Sequence, residues 1–411
     1  MKKVSRIGLS LVLASSFAFG DIYNLGITQG TNSFSVGSNN LMDAIEYFDE
    51  NSLNKQIPAY NPNGDLSATL DLRGLPVTLD MTGNKVVFAV PSLGITETFE
   101  GANRDASVNL LEDWFKVNGA ATLERIMKEL ARVSPVDPIA GNSNSAMAKN
   151  VESDFTNGFL NTASNQRNGT TSSTKNNNLI SIDPTFKSVD VGGKTSSSYS
   201  LPLSYAFVSD KDSERKFTIS LPLNYTEVEG AESYGLGLGM GYSVPITPEW
   251  IVTPAVNYGV TGSIDLATVA QLGGASITSS YTYALPNEHR ISMGNMVGYY
   301  TTLKFYNGDY AYDPGITNVV YRNGLMYSLD TDGVINNTSL DLFAINTVYT
   351  GTEIYNDGYN EFGFSFGYDR INVNMLSEQE KYAYRTSLKM GASFLTSDKE
   401  DGFKVNFGFT F

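Results

Sequence analysis

The sequence predicts an all-β transmembrane antiparallel barrel of about 12 strands, with a small N-terminal α+β domain ahead of it. Three observations predict it. Beyond residue 180, apolar side chains recur at every second place with Gly, Ser, Asn and Lys between them. The chain carries 24 Tyr, 22 Phe and 38 Gly but no Cys, which suits a membrane barrel better than a soluble exported domain. After residue 20, no run of about 18 apolar residues occurs, so helical membrane spans are absent.

Taken in order, MKKVSR places Lys2, Lys3 and Arg6 ahead of the short apolar run IGLSLVLASSFAFG. Residues 1–20 therefore read as a signal peptide, with Ala18 and Gly20 as the small residues before cleavage near Asp21. Its removal takes the formal charge from −15 to three units more negative. So acidic a chain does not seek nucleic acid, whose phosphates would repel it. The missing cysteines exclude disulfides, thiolate metal sites and a lipid anchor on cysteine.

Residues 21–160 form the mixed α/β N-terminal domain, a passenger or a plug. The patch LMDAIEYF is helical in pattern. SATLDL, PVTLDM, KVVFAV and GITETF read as a short antiparallel meander over 66–99. Leu110, Leu111, Trp114 and Phe115 suit one short helix, and Leu123, Ile126, Met127 and Leu130 a second. A weak helix then places Met147, Val151 and Phe155 at four-residue spacing. Residues 161–180, NTASNQRNGTTSSTKNNNLI, are an Asn/Ser/Thr-rich linker too polar to fold alone.

The barrel covers 181–411, with strands starting near 181, 195, 215, 233, 250, 271, 290, 317, 338, 362, 382 and 403. Apolar faces open and close on aromatic residues, as membrane-interface girdles do. If the last strand ends in the periplasm, TPE (247–249) and PNEH (286–289) are inner turns, and SIDLATVA, YNGDYAYDPGI and TGTEIYNDGYNE are long outer loops. DTDGVINN is a long exception. Pro202 and Pro222 fall mid-strand, where each deletes a ladder donor, so a bulge or kink is expected there. The alternation also slips near 369–371, which predicts a bulge.

The signal peptide, the alternating aromatic strands and the terminal FGFTF give the chain a resemblance to Gram-negative outer-membrane β-barrel proteins. The resemblance implies that Phe403, Phe407, Phe409 and Phe411 form the signal read by the barrel-assembly machinery, with outer-membrane lipid around the barrel. More narrowly, an exported N-terminal region, a linker and a C-terminal barrel resemble an autotransporter. That implies a linker passing through the barrel and an N-terminal domain anchored or exported at the cell surface, for adhesion or interaction with a ligand the sequence does not identify. The N-terminal region departs from that family, being short, partly helical and without β-helical rungs. A porin-like transport channel with a plug or periplasmic N-terminal domain is the alternative.

Chemistry is sparse. The single histidine, His289, sits in a predicted turn, which leaves little basis for a Ser–His–Asp arrangement or a histidine metal site, so neither an enzyme nor a cofactor is expected. GLGLGMG lies within a strand pattern and lacks dinucleotide-loop spacing; its glycines suit close approach of a plug or a neighbouring backbone. SLDTDGVINN reads as Asp-Gly turn chemistry, lacking the late acidic ligand of a calcium loop. Arg322, Arg385, Lys389 and Lys404 share the lumen face. Such a basic strip either favours anions, pairs with Glu152 and Asp154 on an acidic plug, or is satisfied by water and neighbouring charges.

Overall fold

The computed structural model describes residues 21–166, 178–209, 212, 214–285, 289–307, 310–331, 334–335, 338–368 and 387–410. The chain divides into two compact units, Met1–Leu130 and Ala131–Phe411.

The first unit is a six-stranded antiparallel sheet in the order β2-β1-β3-β4-β5-β6. Strands β1 (Tyr23–Gln29) and β2 (Asn32–Ser38) form a hairpin, followed by the short helices α1 (Leu41–Glu46) and α2 (Glu50–Gln56). Strands β3 (Leu66–Leu72), β4 (Leu75–Thr82), β5 (Lys85–Val90) and β6 (Ile95–Glu100) are the expected meander. Leu25, Ile27, Leu53, Ile57, Leu66 and Ala68 make its core. Helix α3 (Arg104–Val133) is one continuous element where the sequence suggested two. Gly119 does not interrupt it, since a single glycine costs a helix only about 1 kcal/mol. Trp114 and Phe115 meet Phe88 of β5 at ring distances of 6.0 and 5.1 Å, which outweighs that cost.

The second unit opens with a loop and then α4 (Ala146–Phe155), a π-helical turn over Thr156–Leu160, and α5 (Asn161–Gln166). The barrel follows. Its first strand is split into β7 (Leu179–Ile182) and β8 (Thr185–Val191) by Asp183 and Pro184. Next come β9 (Lys194–Val208), β10 (Lys216–Val228), β11 (Ala231–Pro245), β12 (Trp250–Ser263), β13 (Thr268–Ala284) and β14 (Arg290–Leu303). A small hairpin, β15 (Phe305–Asn307) with β16 (Tyr310–Tyr312), interrupts the series. The wall resumes with β17 (Thr317–Asp330), β18 (Thr338–Gly351), β19 (Gly358–Tyr368), β20 (Ser387–Thr396) and β21 (Glu400–Thr410).

Each wall strand pairs antiparallel with the next, and β21 returns to β7 and β8, closing a 12-stranded barrel. Closure removes every free edge. It also creates two rims. The terminal rim holds the start of β7 and the end of β21, where Ser181 pairs with Thr410. The far rim holds the connections after β8, β10, β12, β14, β18 and β20. The first of these is the two-residue turn Gly192–Gly193, both at positive φ (59° and 75°), the backbone a tight hairpin demands.

Burial is inverted relative to a soluble protein. Outside, Tyr199, Leu201, Phe207, Leu236, Ile277, Leu325, Phe362 and Met390 are exposed; inside, Ser198, Ser220, Thr278, Asn318, Arg322, Thr347, Glu361 and Lys404 are buried. Water would penalise so large an apolar exterior, whereas hydrocarbon would not. Aromatic rings mark the band's margins. Phe403, Phe186, Tyr199, Tyr225 and Tyr234 run edge to edge across five adjacent strands at 5.0–6.1 Å spacings. Phe207 and Phe217 meet at 6.2 Å nearer the terminal rim. From Tyr199 to Phe207 is about 27 Å along the strand, or about 20 Å along the barrel axis at the usual tilt.

Two expectations need correction. SIDLATVA is no long loop: β12 runs to Ser263 and β13 begins at Thr268, so the period-two pattern consumes most of it. Short turns occur on both rims, so connection length does not assign the sides. Neither Pro202 nor Pro222 makes a bulge. They face one another directly in the β9–β10 register. The slip expected near 369–371 lies outside the described residues, as do Ala18, Gly20, Arg385 and Phe411.

Candidate functional site

The lumen is the site, and residues 131–166 occupy it. The N–H of Tyr355, between β18 and β19 on the far rim, donates to the Ala131 carbonyl at 2.8 Å. The N–H of Asn356 donates to the Gly141 carbonyl at 3.1 Å. Gly141, at φ 95°, admits no side chain, because a Cβ there would stand 2.7 Å from the Ala131 carbonyl oxygen. The Ser143 hydroxyl and N–H both donate to Glu400, the first residue of β21. Asn144 bonds Ser196 and Ser198 near the start of β9, at 2.9 and 2.8 Å.

From there α4 descends through the barrel. Its Ser145 cap accepts the Ala148 N–H, and its apolar side, Met147, Val151 and Phe155, is fully buried. It packs on β11 through β14. The wall makes room with glycine: Gly294 of β14 lies directly opposite Gly324 of β17. A Cβ at Gly324 would come within 2.9 Å of both the Phe155 and Phe159 rings, and one at Gly294 would overlap the Phe159 ring. A flat two-glycine floor therefore seats two phenylalanines whose rings, 5.2 Å apart, are tilted to one another by 53°.

The lumen charges are paired. Glu152 of α4 takes Lys187 of β8 and Lys404 of β21, each at 2.8 Å. Lys404 also reaches Glu361 of β19, which receives Arg322 of β17 at 3.1 Å. Arg322 further donates to Thr347 and Tyr359 and lies 5.2 Å over the Phe155 ring. Lys389 pairs with Asp341 at 2.8 Å. The plug anion Glu152 is thus one vertex of a five-charge network whose other members lie on the wall.

Asp154 differs. Its carboxylate accepts from Asn257, Ser276 and Tyr300 at 2.7, 2.9 and 2.8 Å, all neutral donors. Lys149 donates to the Thr226 hydroxyl at 2.6 Å.

The predicted lumen residues Arg322, Lys389 and Lys404 face inward as placed, but each has an acid beside it, so no free basic strip lines this lumen among the described residues. Phe403, Phe407 and Phe409 lie on the outer face of β21. His289 is bonded through Nδ1 to the Tyr327 hydroxyl at 2.7 Å. The glycines of GLGLGMG meet the neighbouring strands; Gly237, for one, faces the Pro222 ring. Sequence reasoning passed over Lys187, Asp341, Glu361 and Glu400. Glu361 closes TGTEIYNDGYNE, which the sequence pattern predicts as a loop, whereas β19 begins already at Gly358. Period-two parity counted back from Phe362 places it on the lumen face.

Beside α4 lies a cavity of about 230 Å³ against the β7–β10 and β19–β21 wall, lined by Lys149, Glu152, Ser200, Pro202, Pro222 and Lys404.

No protein-family model matches the sequence, and neither does any curated protein. Solved barrels resemble the structure. The β domain of the Bordetella autotransporter BrkA is 12% identical with a TM-score of 0.42, over 57% of this chain and 98% of that one. The translocator domain of the autotransporter NalP from Neisseria meningitidis is 10% identical with a TM-score of 0.43, over 64% and 97%. The KdgM porin in complex with disordered oligogalacturonate is 9% identical with a TM-score of 0.35, over 56% and 99%.

Proposed function

We propose that the chain is an outer-membrane barrel that carries its N-terminal unit at the cell surface, with residues 131–166 threaded through its own lumen. The direction of the thread carries this reading. Residues 131–144 are bonded to the far rim, Phe159 reaches the terminal half at Gly294, and the barrel then begins at the terminal rim with Leu179. A chain whose strands start and finish on the periplasmic side would accordingly present residue 131 and everything before it outward. The inverted burial of the wall supports the membrane, and the paired charges around Glu152 support a thread that stays in place after transit.

An epitope tag near Asn63 tests it. The tag should bind antibody on intact cells, and added protease should remove it. A tag reached only after permeabilisation would overturn the reading. The cavity beside α4 favours a second reading, a gated channel. Planar-bilayer recordings of the whole protein separate the two, since a displaced plug would give open events and a fixed one would not.

A further inference from the structure

The prolines of the first strands acquire a meaning from the ladder. In an antiparallel strand, a residue's carbonyl and amide point to the same neighbour. The Pro184 carbonyl accepts the Phe407 N–H at 2.9 Å, so Pro184 faces β21 and offers it no donor. The Pro202 carbonyl accepts the Asp183 N–H at 3.1 Å, so Pro202 faces the first strand and offers it none. Pro222, opposite Pro202, therefore turns to β11, and there the register skips Leu221 and Pro222 between Ser220↔Gly239 and Leu223↔Leu236. Three ladders beside the closure of the barrel lose a donor at one height.

That height has space on both sides. Behind it lies the lumen cavity, on the side of the lumen away from the wall that α4 packs. In front, on the membrane face, lies an apolar groove of about 910 Å³ lined by Pro184, Phe186, Leu201, Leu223, Leu236 and Phe407. Cavity and groove share Thr185, Ser200 and Asn224, so a single layer of backbone separates them. Lysines, carboxylates and hydroxyls line much of the cavity, and in it Lys149 has a hydroxyl rather than a carboxylate as its hydrogen-bond partner. The groove is overwhelmingly apolar.

Resting on the membrane-barrel reading, we propose that this proline seam is a lateral portal for a single-chain amphiphile with an anionic head, its head at Lys149 in the lumen and its chain in the outer groove. The β9–β10 ladder stays intact across the seam, so the opening is confined to the β10–β11 side, where two pairs drop out of the register, a width for one chain rather than two.

The test reconstitutes the full chain in phosphatidylcholine liposomes with a palmitate bearing a mid-chain diazirine, and maps photo-cross-links by peptide mass spectrometry. Cross-links should concentrate on peptides carrying Leu201, Leu223 and Phe407 over those carrying Val297 and Leu325 on another part of the outer wall. Lys149→Gln should cut the seam signal about tenfold, the worth of one charge-assisted hydrogen bond. The double variant Pro202→Thr/Pro222→Thr, which restores two donors, should cut it as well. A diazirine-labelled phosphatidylcholine should label the whole belt and ignore Lys149→Gln. Palmitate labelling spread evenly round the belt, or unchanged by Lys149→Gln, would overturn the portal. Heat-modifiable migration of each variant is read first. A wild-type chain that fails to insert refutes the membrane reading instead, and if the proline variant alone fails to fold, Lys149→Gln decides the matter.

Discussion

Asp154 shows how one buried residue ties the lumen segment to the wall. Its carboxylate accepts from Asn257, Ser276 and Tyr300, one each on β12, β13 and β14. Asp154→Ala leaves those three donors without their acceptor and should cost about 1–3 kcal/mol, seen as a lower urea midpoint. An unchanged midpoint would mean that the three bonds do not hold α4 to the wall. The glycine floor makes a second residue-scale claim. Gly294→Ala places a methyl in the Phe159 ring and should cost about 1–3 kcal/mol. Adding Phe159→Ala should return much of it, and two losses that simply add would show that ring and floor do not meet.

At the scale of elements, what was legible in the sequence depended on whether one solvent-like phase faced each side. The wall strands show clean alternation because hydrocarbon and lumen impose opposite preferences on successive residues, so most strand starts fall within a few residues of those observed. Met147, Val151 and Phe155 revealed α4 for the same reason. The hairpin β1–β2 was hidden because Asn and Ser dilute its alternation, although Tyr23, Leu25 and Ile27 are fully buried. The glycine floor was illegible because its logic is a meeting of Gly294 and Gly324 with residues more than a hundred positions away. The lumen network was half legible: parity gave the bases, but not which acid each would find. The α4 latch follows from that network. Glu152→Gln leaves Lys187 and Lys404 with less compensating charge, and should weaken plug retention by about 3 kcal/mol. A double-mutant cycle with Lys187→Met, read by hydrogen exchange of residues 146–155, should show strong coupling; additivity would deny the latch.

For the whole molecule, the second unit begins at Ala131, well before the barrel's first strand, because the lumen segment shares its core with the wall. A boundary read from composition fell at the polar linker instead, since low complexity marks where a chain cannot fold alone and says nothing of what an enclosing barrel can hold. The consequence is a proteolytic asymmetry. In detergent-folded protein, residues 134–160 lie within the ring of strands, and nearly all of 134–148 is buried. Limited digestion should therefore trim inward from the N-terminus and stall before Ser145, leaving 146–160 bound to the barrel even if the chain is also cut between α5 and β7. Glu152→Gln should let digestion proceed past that point, with the wall strands still protected. Rapid loss of 146–160 from the unaltered protein, while the barrel survives, would show that the lumen segment is a transient visitor and not the spindle on which the wall closes.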